Sequence, residues 1–210
     1  VVLRQPCLRG RPLSTGQGHW IGAAPSPEFA GGTAAHADAA CLAALDGAGL
    51  AAELVCTHTD RAARVAALTL SARLAEPPDD RHLADLARRL GGAAVRPGAA
   101  EAASGAASGA EAAARAAASA RAGEDGRCVR FPGQDALTGV VAAGRIAAES
   151  AIDRVAGVGV AVHPDALVDT RDFLRPVFRG GALVLLVEPA AGGLLRPAEI
   201  EHPHACCGGH

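Results

Sequence analysis
The sequence predicts an α+β (or α/β) protein, made of alanine-rich helices, short strands and a C-terminal three-stranded antiparallel meander. Three observations predict it. Residues 33–49 and 80–90 carry apolar side chains at helical spacing, between short apolar runs of strand length. The last third holds three strand-like runs separated by glycine-rich turns. Alanine fills 52 of 210 positions, so helices gain from propensity more than from large side chains.

Residues 1–32 read mostly as loop, with a short strand at His19-Trp20-Ile21 between Gly18 and Gly22. Thr33 then caps a helix whose apolar face carries Cys41, Leu42 and Leu45, and Gly47 and Gly49 stop it. Glu53 to Thr57 is a strand. Arg61 to Leu74 fits either class, because Leu68, Leu70, Ala72 and Leu74 alternate with polar residues while the alanine-rich flanks favour helix. Pro77-Pro78-Asp79-Asp80 turns the chain into a helix bearing Leu83, Leu86, Ala87 and Leu90, ended by Gly91-Gly92.

Residues 98–124 are low in complexity and hold almost nothing large to bury. They read as a linker or a solvated helix, strongest in helix propensity over Ala112–Ala120, between an α/β-like region (1–97) and an α+β region (125–210). A helix is expected over 135–154, with Leu137, Val141, Ile146 and Ile152 as its larger apolar residues. Val155 to Val162 is a strand broken by Gly157 and Gly159. Phe173 to Phe178, Ala182 to Val187 and Leu194 to Ile200 form the meander, with Ala182 to Val187 in the middle and Pro176 and Pro197 pushing the outer runs to the edges.

The composition excludes several classes. No apolar stretch approaches the 18–20 or so residues of a membrane span, and the first twenty residues have no hydrophobic signal core. A net charge of -2 with 2% aromatics does not describe a nucleic-acid surface. Lys, Asn, Met and Tyr are absent, as an extremely GC-rich gene would produce. Cys7, Cys41, Cys56 and Cys128 are scattered singly, which is no disulfide framework, so reduced thiols and a cytoplasmic location are expected. A core of Ala, Val and Leu is thin at roughly 25 cal/mol per Å² buried, which leaves room for a protein partner or a homo-oligomer.

The last nine residues, His202-Pro203-His204-Ala205-Cys206-Cys207-Gly208-Gly209-His210, hold five imidazole or thiol groups. These are the preferred ligands of zinc and also suit copper and nickel. In an extended chain alternate side chains share a face, so His202, His204 and Cys206 project together. Gly208-Gly209 allows the chain to fold back and bring in His210. Structural zinc sites join ligand pairs across a longer loop, so a wholly local cluster fits exchangeable binding better than a fold staple. Cys56 and His58 share one face of an extended segment and could add a second pair. The vicinal Cys206-Cys207 also admits a small-ring disulfide.

Other residues suggest an enzyme. Pro27-Glu28-Phe29-Ala30-Gly31-Gly32-Thr33 leads into the first helix, where His36, Asp38 and Cys41 lie close in sequence. A glycine pair before a helix allows close approach, and the helix N-terminus favours an anion. This loop resembles the first glycine-rich loop of GT-B glycosyltransferases, in which Gly-Gly opens a helix carrying an early histidine, here His36. The resemblance implies a phosphate or sugar nucleotide at Gly31, Gly32 and Thr33. It spans only about thirty residues. The chain is too short for that family's two Rossmann-like domains and places no acidic residue where the nucleotide-binding half needs one, so a tight turn is the plainer reading. Cys41 lies past the first turn, so a small buried hydrophobe is its plainer role, with His36 on the surface. Asp165, Asp169 and Asp172, near His163 ahead of the meander, fit a hydrolase's carboxylates or a hard-metal site, but turn and capping roles are their plainer reading.

The leading expectation is therefore a small transition-metal-binding carrier, sensor or accessory protein using His202, His204, Cys206, Cys207 and His210. The alternative is an α/β enzyme or a phosphate- or nucleotide-binding protein using the Gly31-Gly32 loop with Cys41 and His36. No pair of catalytic groups can be placed in one pocket from sequence alone.

Overall fold
The computed structural model describes residues 18–29, 33–61, 67–97 and 107–201. The first unit runs β1 (His19–Ala24), α1 (Ala34–Gly47), β2 (Ala52–Asp60), β3 (Ala67–Leu74), α2 (Asp80–Leu90) and β4 (Ala93–Val95). Its strands lie in the order β4-β1-β3-β2, every neighbour antiparallel. This is the split βαβ arrangement of ferredoxin-like units. Within the ambiguous 61–74 run, Ala67–Leu74 is strand because β3 takes the slot between β1 and β2. Pairing on both edges outweighs the helix propensity of nearby alanines.

Side-chain alternation along these strands separates two cores. Ile21, Ala23, Val55, Leu70, Ala72 and Leu74 face α1 and α2, and pack on Cys41, Leu45, Leu83, Leu86 and Leu90. Trp20, Leu54 and Cys56 belong to the other core, with Ala120 of α3 (Ala107–Ala122) and the large residues of the C-terminal third. Thr33 caps α1 as expected, its Oγ1 accepting from His36 N at 3.3 Å. Gly91 ends α2 in the left-handed region at φ 61°.

Where residues 98–124 are described, their helix reading holds and its solvated placement does not. Residues 107–122 form a helix lying on the sheet, with Ala110, Ala112, Ala113, Ala116, Ala117 and Ala120 buried. The contact is made backbone to backbone. A Cβ on Gly22 would stand 1.8 Å from the Ala113 carbonyl oxygen, so the glycine of β1 and the small residues of α3 fit each other. Nor does the sheet break there. β5 (Arg127–Arg130) pairs with β2 on one side and β9 (Val177–Arg179) on the other, and all eleven described strands join one mixed sheet.

The helix expected over 135–154 is also corrected. Gly139 turns the chain at φ 65°, Val140–Ala142 is strand β6 paired with β8 (Leu167–Asp169), and only Ala143–Glu149 is helical, as α4. Leu137, Val141, Ile146 and Ile152 are all buried, so the apolar pattern was right and its period was not.

β10 (Ala182–Pro189) is the hub of the C-terminal third. It pairs antiparallel with both β9 and β11 (Leu195–Pro197), the two neighbours expected of it. Both lie end to end along one edge. Val184 pairs with Val177 and with Arg154, and Val187 pairs with Pro197 and with Gly157, so the parallel β7 (Arg154–Gly157) must hold the opposite edge. The gap between β9 and β11 is a notch of about 220 Å³ lined by Arg175, Leu185, Pro197 and Glu199. Among the described residues no helix is long and apolar enough to cross a membrane.

Candidate functional site
β1 and β2 both run antiparallel to β3, so they are parallel to each other, and α1 starts at the edge where β2 ends. A cavity of about 510 Å³ opens there. Alternation along β2 aims Thr57 and Thr59 toward α1 and His58 toward α3. Ala34, Ala37 and Asp38 of α1 form one wall, while Arg61, Asp125, Gly126 and Arg127 complete the rim.

Four charged groups tie this site together. The Asp38 carboxylate, 4% exposed, accepts from Arg127 Nη1 at 2.7 Å and from Arg175 Nε at 3.1 Å. Arg127 Nε also reaches both carboxylate oxygens of Glu199 at 2.7 and 2.8 Å, and Nη1 reaches Thr57 Oγ1 at 3.1 Å. Burial would favour discharging Arg127, but the hydrogen bonds of Glu199 and Asp38 outweigh it and raise its pKa further. Arg175 lies over the Phe173 ring, 3.9 Å from its centroid. Two cations and two anions thus bind α1, β5, the approach to β9 and the segment after β11.

On the α3 side lies a second chain of polar groups. His58 Nδ1 is 3.2 Å from Asp125 Oδ2, and Nε2 is 2.8 Å from Ser71 Oγ. Burial lowers the His58 pKa, and Asp125 offsets part of that. Hydroxyl, imidazole and carboxylate therefore stand in the order of a hydrolytic triad. Ser71 is fully buried and does not line the cavity, so no substrate carbon meets its oxygen. Below it the Cys56 thiol is pushed up by burial and by its neighbour Cys128, while the Ser71 hydroxyl opposes the shift.

The sequence-derived candidates divide clearly. Thr33 is spent on capping its own helix. His36 is exposed, whereas Cys41 is fully buried with its thiol raised to about 12 by burial and then by Asp38, so it is a protonated core residue rather than a nucleophile. Gly31 and Gly32 lie outside the described residues, as do His202, His204, Cys206, Cys207 and His210. Cys56 and His58 do share one face. Cys56 is sealed in the core, however, and both nitrogens of His58 already have partners. Among the described residues no group of three or more His, Cys, Asp and Glu side chains could hold a metal ion. Asp169 and Asp172 take turn roles, accepting from the Arg171 and Gly139 amides.

Sequence reasoning missed the Asp38–Arg127–Arg175–Glu199 cluster. One signal was present: Asp38 falls on the buried stripe of α1 with Ala37, Cys41 and Leu45, where a carboxylate must find a cation. Which arginines answer it depends on residues 89 and 137 positions away in sequence. No protein-family model matches this chain, and neither a curated protein nor a solved structure matches it significantly.

Proposed function
We propose that the protein binds a borderline or soft transition metal, zinc in the first place and copper or nickel next, as a carrier, sensor or accessory protein. His202, His204, Cys206, Cys207 and His210 are the ligands. The observation that carries this reading is five imidazole and thiol groups within nine residues. The course of the chain leading to them supports it. Glu199 is fastened to Arg127 on the cavity rim, so the ligand-bearing segment starts from a fixed point. At about 3.3 Å per residue, the seven residues from Glu199 to Cys206 span up to roughly 23 Å. The described core packs through apolar side chains, which fits an exchangeable metal better than a structural one.

The test is elemental mass spectrometry of protein purified under reducing conditions, beside a chain ending at Glu201. Near-stoichiometric zinc, copper or nickel that disappears on truncation is the expected result. No metal in either chain after reconstitution with each ion would overturn the reading.

A second reading rests on the cavity. Its wall is the first turn of α1 with the small Ala34 and Ala37, and Arg61 and Arg127 line it beside Asp38 and Asp125. Such a site suits a phosphate group. Calorimetric titration with inorganic phosphate and with a nucleoside diphosphate tests it, with Arg61→Ala expected to weaken binding. Equal binding by that variant, or none by the native chain, would remove this reading.

A further inference from the structure
We propose that Cys56 and Cys128, directly opposed across β2 and β5, are a reversible redox pair that hydrogen peroxide closes into a disulfide. The register makes them Cα partners, and both thiols are free and fully buried in the same core. Their pairing type follows from one hydrogen bond. The Cys128 amide donates to the Pro176 carbonyl at 2.7 Å, away from β2. In an antiparallel strand the amide and carbonyl of one residue point to the same edge, so Cys128 faces Cys56 as a non-hydrogen-bonded pair. Such pairs bring the Cα atoms to about 4.5 Å and the side chains closest together, within the roughly 4.4–6.8 Å that a disulfide spans. Between Val55 and Cys56 the register shifts by one, which leaves Val129 as an extra residue in β5 and bends that strand beside Cys128.

Burial keeps the Cys56 thiol protonated, and one hydroxyl and a thin layer of backbone lie on its cavity side. The Ser71 hydroxyl stands against its sulfur and is itself held by His58. The cavity floor above it is Gly126, where a Cβ would lie 3.3 Å from the Cys56 sulfur and 3.0 Å from the His58 ring. Only the backbone of the connection from α3 to β5 therefore separates that thiol from the cavity. The connection turns at Gly123 and Gly126, both at positive φ.

The oxidation balances in two steps. The Cys56 thiol and hydrogen peroxide give a sulfenic acid and water, with the O–O bond broken and an S–O bond formed. The Cys128 thiol then displaces the sulfenic oxygen, forming the S–S bond and releasing a second water. A dithiol reductant reverses the change by exchange. The disulfide would staple the split βαβ unit to the C-terminal strands.

The test uses the full chain carrying Cys206→Ala and Cys207→Ala, so that a failure here says nothing about the metal reading. After peroxide, the protein is denatured, alkylated and digested without reduction. We expect two alkylated cysteines instead of four, a cross-linked peptide containing Cys56 and Cys128, and four again after dithiothreitol. Complete alkylation of Cys56 and Cys128 after oxidation would overturn the proposal. So would cross-linking of either one to Cys7 or Cys41.

Discussion

Replacing Asp38 with alanine removes the one carboxylate shared by Arg127 and Arg175 in the interior. Its side chain is 4% exposed, and the arginine side chains that contact it are 21% and 11% exposed. Removing one member of a buried ion pair costs about 3–5 kcal/mol, because the remaining charge stays desolvated. Here the loss is cushioned. Arg127 keeps Glu199 and Thr57, while Arg175 keeps the Leu174 carbonyl and the Phe173 ring. We therefore expect about 3 kcal/mol, the lower end of that range. With a urea m-value of about 2 kcal/mol per molar, the unfolding midpoint falls by about 1.5 M at constant m. Asp38→Asn, which keeps the shape and one acceptor, should lose less. Glu199→Gln shares Arg127, so the double variant should depart from additivity by at least about 0.5 kcal/mol. A loss below about 1 kcal/mol for Asp38→Ala, the size of an exposed pair, would refute the argument that this cluster is a desolvated tie.

Gly22→Ala drives a Cβ into the Ala113 carbonyl and should lift α3, costing about 1–3 kcal/mol or more. Trp20, the only tryptophan, lies in the core on that side, so its fluorescence should shift to the red, and an unchanged spectrum and midpoint would count against the packed helix. The folded-state pKa of His58 is lowered, so below the unfolded value of about 6.5 the unfolded chain binds more protons and stability falls as pH falls. Denaturation midpoints from pH 7.5 to 5 should therefore drop less in His58→Gln than in the native chain, and parallel slopes would contradict the buried neutral imidazole. Cys41 should resist iodoacetamide at pH 8 in the folded protein and react on denaturation, and rapid native labelling would contradict its burial.

Local chemistry made part of this fold readable. Thr33 capping α1, Gly91 ending α2, and the double glycine Gly180-Gly181 between β9 and β10 are local events, governed by backbone dihedrals and nearby amides. The apolar pattern also named the core of the C-terminal third, since Leu137, Val141, Ile146 and Ile152 are all buried. Pattern alone did not fix their period. Val140-Val141-Ala142 became strand because β8 offered an edge, and a 20-residue window of mixed alanine and valine does not encode that partner.

The candidate site divides along the same line. The ligand-rich segment from His202 to His210 is legible without any fold, because zinc-type ligands are recognised by identity and spacing. The cavity and its charges are not. The sequence by itself determined the helix caps, the hairpin turns, the apolar pattern of the C-terminal third and a carboxylate on a buried stripe. Tertiary structure alone decided that an alanine helix packs on Gly22, that β3 is a strand, that Asp38 meets Arg127 and Arg175, and that Cys56 faces Cys128. The physical reason is range. Capping and turn energies are set within about four residues, whereas sheet edges, close backbone contacts and buried ion pairs draw on partners up to 137 positions apart, which folding alone brings together.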